Sequence, residues 1–187
     1  EDMIKSEKLD IVSICTPTKF HFEVARFALR SKVNVLLEKP ICQDYKEAEA
    51  LLFEAKRNKV KLLVGHIERF NPAVIKVKEM IDSGEIGDVI AIIVRRVGGF
   101  PSQITDSDIA VDLSIHDIDI INFLLEELPK EIYVNKKKNH ITHREDSVEF
   151  FLKYKRSSAY LQANWITPVK IRKLNITGMN GYLEKDF

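Results

Sequence analysis

Cysteine is scarce. Cys15 and Cys42 are the two in 187 residues, too few for a disulfide framework and without the paired spacing of a thiolate metal site. Each falls near the end of a predicted strand, where a small buried hydrophobe is expected, and so little sulfur suits a reducing cytoplasm. No apolar run approaches the ~18 to 20 residues of a membrane-spanning helix. The first eight residues carry no signal-peptide apolar core. Charge of one sign is also missing: 29 Lys and Arg stand against 28 Asp and Glu, a net +1. That balance removes the electrostatic reason to expect nucleic acid or an anionic membrane as partner. Repeats and low-complexity segments are absent. What is left is a chain long enough for one large or two small cored domains.

The stretch around which the rest is ordered is Val33-Asn34-Val35-Leu36-Leu37-Glu38-Lys39-Pro40. A short β-branched apolar run of this kind suits a strand buried on both faces of a parallel sheet. Ligands of open α/β sheets bind at the carboxyl ends of such strands, which is where Glu38 and Lys39 fall. Pro40 ends the ladder. Before it, 9–15 reads as a strand stopped by Thr16-Pro17-Thr18, and 20–31 has the apolar period of a helix. After it, Asp44 is a predicted N-cap for a helix over 45–58, followed by a strand over 60–65. Strand-helix-strand-helix-strand with short connections predicts right-handed crossovers and a partial doubly wound, Rossmann-type parallel sheet.

The pattern changes near residue 67. Asn71-Pro72 opens a helix over 72–83 that the Gly84 to Gly87 segment ends. A strand over 88–97, a loop over 98–107 and a helix over 109–125 follow. After Pro129 come about four alternating strands, at 130–135, 147–154, 158–165 and 170–177, with Gly178 and Gly181 flanking a turn. The prediction is an α+β domain over 68–187 with a mainly antiparallel, open-faced sheet, behind a first domain over 1–67.

Three strand ends carry polar residues to one crevice of the first domain: Thr16-Pro17 with His21 one turn later, Glu38-Lys39, and Gly65-His66 ahead of Arg69 and Asn71. In the second, Asp112 and His116 lie four apart on the predicted helix, on one face one turn apart. An imidazole near neutrality can take or give a proton, and a carboxylate beside it can orient it or hold a hydroxyl. By spacing alone the competing reading, an Asp–His pair that steadies a helix, leads. No further ligand cluster supports a metal site there. His140 and His143 fall in a Lys-rich turn and are expected at the surface. Trp165 either lines a pocket or fills the core.

Cys15-Thr16-Pro17-Thr18 with His21, Glu38-Lys39-Pro40, Gly65-His66 with Arg69-Phe70-Asn71-Pro72, and the 112–119 segment with Asp112, His116 and Asp119 resemble, in order and spacing, the Gfo/Idh/MocA oxidoreductases. The octapeptide at 65–72 and the tail with Asn164-Trp165, Gly178 and Gly181 are most similar to members acting on UDP-N-acetylglucosamine at C3. The resemblance implies an NAD- or NADP-dependent dehydrogenase of sugar or nucleotide-sugar hydroxyls. It implies Lys39, His116 and Asp112 as catalytic residues, with His116 as general base. Thr16, Pro17, His21, Glu38 and Lys39 would line the cofactor pocket, Arg69, Asn71 and Asp112 would meet the substrate, and the second-domain sheet would form a homodimer or homotetramer. One departure stands out. The seven glycines (65, 84, 87, 98, 99, 178 and 181) do not make the G-x-G-x-x-G turn that cradles a pyrophosphate. The expectation is therefore the C-terminal part of a dinucleotide-binding domain, and the alternative is a non-catalytic sugar or nucleotide-binding regulator, or an inactive fragment, on the same scaffold.

Overall fold

A computed structural model describes residues 2–100, 108–139 and 144–187. His140, His143 and most of the predicted 98–107 loop lie outside the described residues. The chain divides into two compact units, Glu1–His66 and Ile67–Phe187.

In the first unit, a short helix α1 (Asp2–Ser6) precedes β1 (Ile11–Ile14), α2 (His21–Arg30), β2 (Asn34–Leu37), α3 (Tyr45–Asn58) and β3 (Leu62–Val64). The strands form a parallel sheet in the order β1-β2-β3, with Val12, Val35 and Leu62 in one row and Ile14, Leu37 and Val64 in another. Both crossover helices contribute to one core, where Ala25, Ala28 and Leu29 of α2 and Leu51 of α3 meet Ile14, Val35 and Leu37. The expectation of burial on both faces is corrected among the described residues. In β2, Val35 and Leu37 are buried and Asn34 and Leu36 on the other face are half-buried; in the flanking strands that face is open, with Ile11 60% and Leu63 57% exposed. Asp44 caps α3, accepting from Lys46 N at 2.7 Å, and Lys59 in the left-handed region (φ 56°) ends it. Cys42 is buried, as expected, and burial pushes its thiol up to about 11. Cys15 is exposed, because β1 ends before it and leaves it in the loop.

Glu54 on α3 is 5% exposed, with Arg30 Nε at 2.7 Å and Nη2 at 2.6 Å, and Arg26 Nε at 3.8 Å. The Arg30 hydrogen bonds hold its carboxyl below the usual carboxylate range, and burial only partly opposes them. Because the folded pKa lies below the unfolded one, this stabilisation is complete above the unfolded value and is lost as pH falls through the folded value. Glu54→Gln should therefore lower the unfolding temperature at neutral pH. The gap from wild type should close on acidification below about pH 4, read by calorimetry across a pH series. A gap that stays constant would refute the linkage.

The second unit contains α4 (Pro72–Asp82), β4 (Val89–Gly99), a π-helical turn (Ala110–Ser114), α5 (Ile115–Leu125), β5 (Glu131–Lys137), β6 (Ser147–Lys153), β7 (Ser158–Asn164), β8 (Ile166–Gly178) and β9 (Tyr182–Asp186). Asn71 caps α4 by accepting from Ala73 N at 3.1 Å, ahead of Pro72 at the first turn. The sheet order is β5-β6-β7-β4-β8-β9. β4 pairs parallel with β7 and antiparallel with β8, so the consecutive strands β7 and β8 are not a hairpin; the earlier strand β4 lies between them. One face is a core of Ile92, Val94, Leu152, Leu161, Leu174 and Ile176 packed with Val74 of α4 and Ile120, Ile121 and Leu124 of α5. The other face carries a cross-strand row of Tyr133, Phe151, Tyr160 and Ile93, exposed by 59, 43, 37 and 46%. Gly178 approaches the Ile86 carbonyl so closely that a Cβ there would overlap it.

Candidate active site

Parallel register sends three loops from one edge of the first unit. Ile14, Leu37 and Val64 share a row, and Glu38 N and Gly65 N extend the ladder by bonding to Ile14 O at 3.0 Å and Leu37 O at 2.7 Å. Thr16, Pro17 and Glu38 are exposed there and Lys39 is half-buried. Lys39 N donates to Glu38 Oε2 at 3.2 Å, and the Lys39–Pro40 peptide is cis. A Cβ on Gly65 would lie 3.4 Å from Glu38 Oε1, an ordinary contact, so that carboxylate lies beside Gly65. His21 is 1% exposed. Its Nδ1 is 2.8 Å from Pro40 O and its Nε2 2.8 Å from Thr16 O. Both ring nitrogens thus reach backbone carbonyls, and the ring joins the loop after β1 to the loop after β2.

In the second unit the predicted 109–125 helix is interrupted. Asp112 sits in the π-helical turn and His116 in the first turn of α5. A π-turn spaces its bonds at i→i+5, so the pair is not held at an ordinary α-helical turn; such turns recur at functional sites. Asp112 and His116 are half-buried, whereas Asp117 is 0% and Asp119 9% exposed. Asp117 receives Arg96 Nε at 2.9 Å and Nη2 at 2.7 Å, with Glu68 Oε1 3.7 Å from Arg96 Nη1. Burial pushes the Asp117 carboxyl up and Arg96 opposes it. Burial would lower the guanidinium, but its bonds to Asp117 hold it above its ordinary value, with Asp112 and Glu68 adding to that field.

Arg69 Nε donates to Asp119 Oδ2 at 2.7 Å, and Tyr154 OH to Asn122 Oδ1 at 2.7 Å. Three polar links therefore seat α5 within the unit. The sequence pointed to Arg69 and Asn71 as substrate contacts; the structure gives both side chains partners inside the unit, Asp119 and the α4 N-terminus. Arg96 went unnoticed in the sequence. Its signal was the period-2 series Ile92, Val94, Arg96 on β4, a basic residue where the inward face calls for an apolar one. Trp165 is core (2% exposed), packed edge-on to Phe100 at 5.5 Å. It also lines a cavity of about 230 Å³ with Leu113 of the π-turn, Gly98, Lys170 and Arg172.

Residues 1–66 match the family model described as an oxidoreductase family with an NAD-binding Rossmann fold. Residues 74–184 match the GFO/IDH/MocA C-terminal domain. A UDP-N-acetylglucosamine 3-dehydrogenase of Acidithiobacillus ferrooxidans is 34% identical over 125 residues, covering 67% of this chain and 39% of that enzyme. An inositol 2-dehydrogenase of Rhizobium meliloti is 37% identical over 129 residues, covering 66% of this chain and 39% of that enzyme. A crystal structure of the Acidithiobacillus ferrooxidans UDP-N-acetylglucosamine 3-dehydrogenase superposes with a TM-score of 0.84 at 29% identity, covering 95% of this chain and 57% of that one. The chain spans about two fifths of the length of these curated relatives.

Proposed function

The chain belongs to the GFO/IDH/MocA oxidoreductase family, and from that premise we propose that it transfers a hydride between a hydroxyl of a sugar or nucleotide sugar and a nicotinamide cofactor, NAD or NADP. Residues 1–67 act as the C-terminal part of the dinucleotide-binding domain and 68–187 as the substrate-binding and oligomerisation domain. The observation that carries this reading is one chain holding both polar groups at a parallel-sheet edge and an Asp112–His116 pair that runs from the π-turn into the first turn of α5.

Removing hydride from an alcohol requires an acceptor for the hydroxyl proton and a positive field at that oxygen. His116 takes the proton, Lys39 supplies the field, and Asp112 holds a neighbouring hydroxyl. Arg69 acts by fixing Asp119, and so the α5 helix, and Asn71 by capping α4. The groups at the β1 and β2 ends suit the hydroxyl-rich nicotinamide ribose: exposed Thr16 and Pro17 backbone, the Glu38 carboxylate and the Lys39 ammonium, with His21 holding both loops. The bound nicotinamide supplies the hydride acceptor. UDP-N-acetylglucosamine oxidised at C3 is the favoured substrate, since a relative of that name covers 67% of this chain. The test is formation of reduced cofactor by the full-length protein with UDP-N-acetylglucosamine and with myo-inositol. Cofactor binding without reduction on a broad sugar panel would overturn the reading.

The aromatic row on the outer sheet face supports assembly with a second copy of this chain, because apolar surface rimmed by polar residues marks an interface. Phe151→Glu with Tyr160→Glu should shift the mass by light scattering to that of a monomer; a monomeric wild type would refute the assembly. Among the described residues, no helix is long and apolar enough to cross a membrane. An exposed free Cys15 favours a reducing compartment, and the cytoplasm is the proposed location.

A further inference from the structure

In the second unit, β8 carries two cations, the exposed Lys170 and the half-buried Arg172, ahead of the buried Leu174 and Ile176. Arg172 pairs in register with Arg96 of β4, and Lys170 lies two residues earlier on the same side of the strand. Arg96 is matched by Asp117, but neither Lys170 nor Arg172 has an ion pair or side-chain hydrogen bond among the described residues. Both line the cavity of about 230 Å³ that Leu113 of the π-turn borders. Trp165, 2% exposed, lines it too, and its buried indole N–H, a donor only, meets no acceptor among the described residues. Two cations without a carboxylate partner beside one cavity call for a ligand made of acceptors.

We propose that this cavity is a subsite for an anionic oxygen group of the substrate, a phosphoryl or a carboxylate, bound by Lys170 and Arg172 with Trp165 as its wall. This deepens the dehydrogenase reading and rests on it. A neutral polyol such as inositol has nothing to offer these cations, whereas a nucleotide sugar or a sugar acid does, so the subsite decides between the two substrate classes found among the relatives. Arg172 suits either group, since its planar fork binds phosphate and carboxylate alike.

Trp165 is the sole tryptophan of these 187 residues, so the part of the full-length protein's fluorescence that Trp165→Phe removes reports on this cavity without cofactor or turnover. Titrating the full-length protein with UDP, with glucuronate and with myo-inositol should give a saturable change with UDP or glucuronate and none with myo-inositol. A response to UDP identifies a phosphoryl group and a response to glucuronate a carboxylate. Lys170→Gln and Arg172→Gln should each weaken half-saturation about tenfold or more, the usual loss for a hydrogen bond to a charged group. Circular dichroism establishes that each variant is folded. No saturable response to either anion, or unchanged half-saturation in both variants, would overturn the subsite. Anion binding without cofactor reduction would sink the dehydrogenase reading and leave the subsite standing; turnover of myo-inositol without anion binding would do the reverse.

Discussion

Replacing His116 with asparagine should lower turnover by about 10²–10⁴-fold, the range that a positioned general base supplies, while the unfolding temperature stays close to wild type. His116 is half-buried in the first turn of α5, and asparagine keeps a polar group of similar reach there without a site that can take up the hydroxyl proton. Lys39→Met should lower turnover as well if the proposed role holds, since it removes a positive charge without shortening the side chain much. Asp112→Asn should act differently, raising KM more than it lowers kcat, because the proposed task of Asp112 is to hold a hydroxyl that does not react. Steady-state kinetics of the full-length protein decides this. Wild-type turnover in His116→Asn would sink the assignment, and a large drop in unfolding temperature would show that His116 serves the fold.

The largest expected loss of stability comes from dividing the Arg96–Asp117 pair. Asp117 is fully buried and Arg96 is 4% exposed, with guanidinium bonds of 2.7–2.9 Å between them. Removing one partner leaves the other charge buried without its counterion, at a cost of about 3–5 kcal/mol. Asp117→Ala should therefore lower the denaturation midpoint of the second unit strongly. Arg96→Met combined with Asp117→Leu should recover most of the loss, because it removes both charges and restores apolar volume. Denaturant unfolding of Arg96→Met, of Asp117→Leu and of the double variant measures the coupling. Additive losses would show that the pair is not one unit, since coupled neighbours depart from additivity.

Much of the fold is legible because its signals are local. The limits of α3 follow from the Asp44 cap and an apolar period, and the observed helix runs over Tyr45–Asn58. In the alternating strands predicted at 147–154 and 158–165, the structure buries Leu152 and Leu161 and exposes Phe151 and Tyr160. The candidate site was only partly legible. The strand-end motifs could be named because a parallel βαβ order sends every strand's carboxyl end to one edge. His21 was grouped with them by proximity alone, and its double engagement with the Thr16 and Pro40 carbonyls depends on where α2 packs. Lys170 and Arg172 passed as ordinary strand residues because their shared face acquires meaning only once β4 is known to lie beside β8.

By itself, the sequence determined the order of elements, the parallel crossovers of the first unit, the strand-rich second unit and the residue types available for proton transfer. Caps, turns and hydrophobic period act over a few residues and are written in the chain. The tertiary structure alone decided that β4 enters between β7 and β8, that the 109–125 helix opens into a π-turn, and that Arg96 meets Asp117 across 21 residues. These features satisfy burial and charge among groups distant in sequence. A buried carboxylate selects whichever cation the packed sheet brings to it, and no local pattern specifies which one that is.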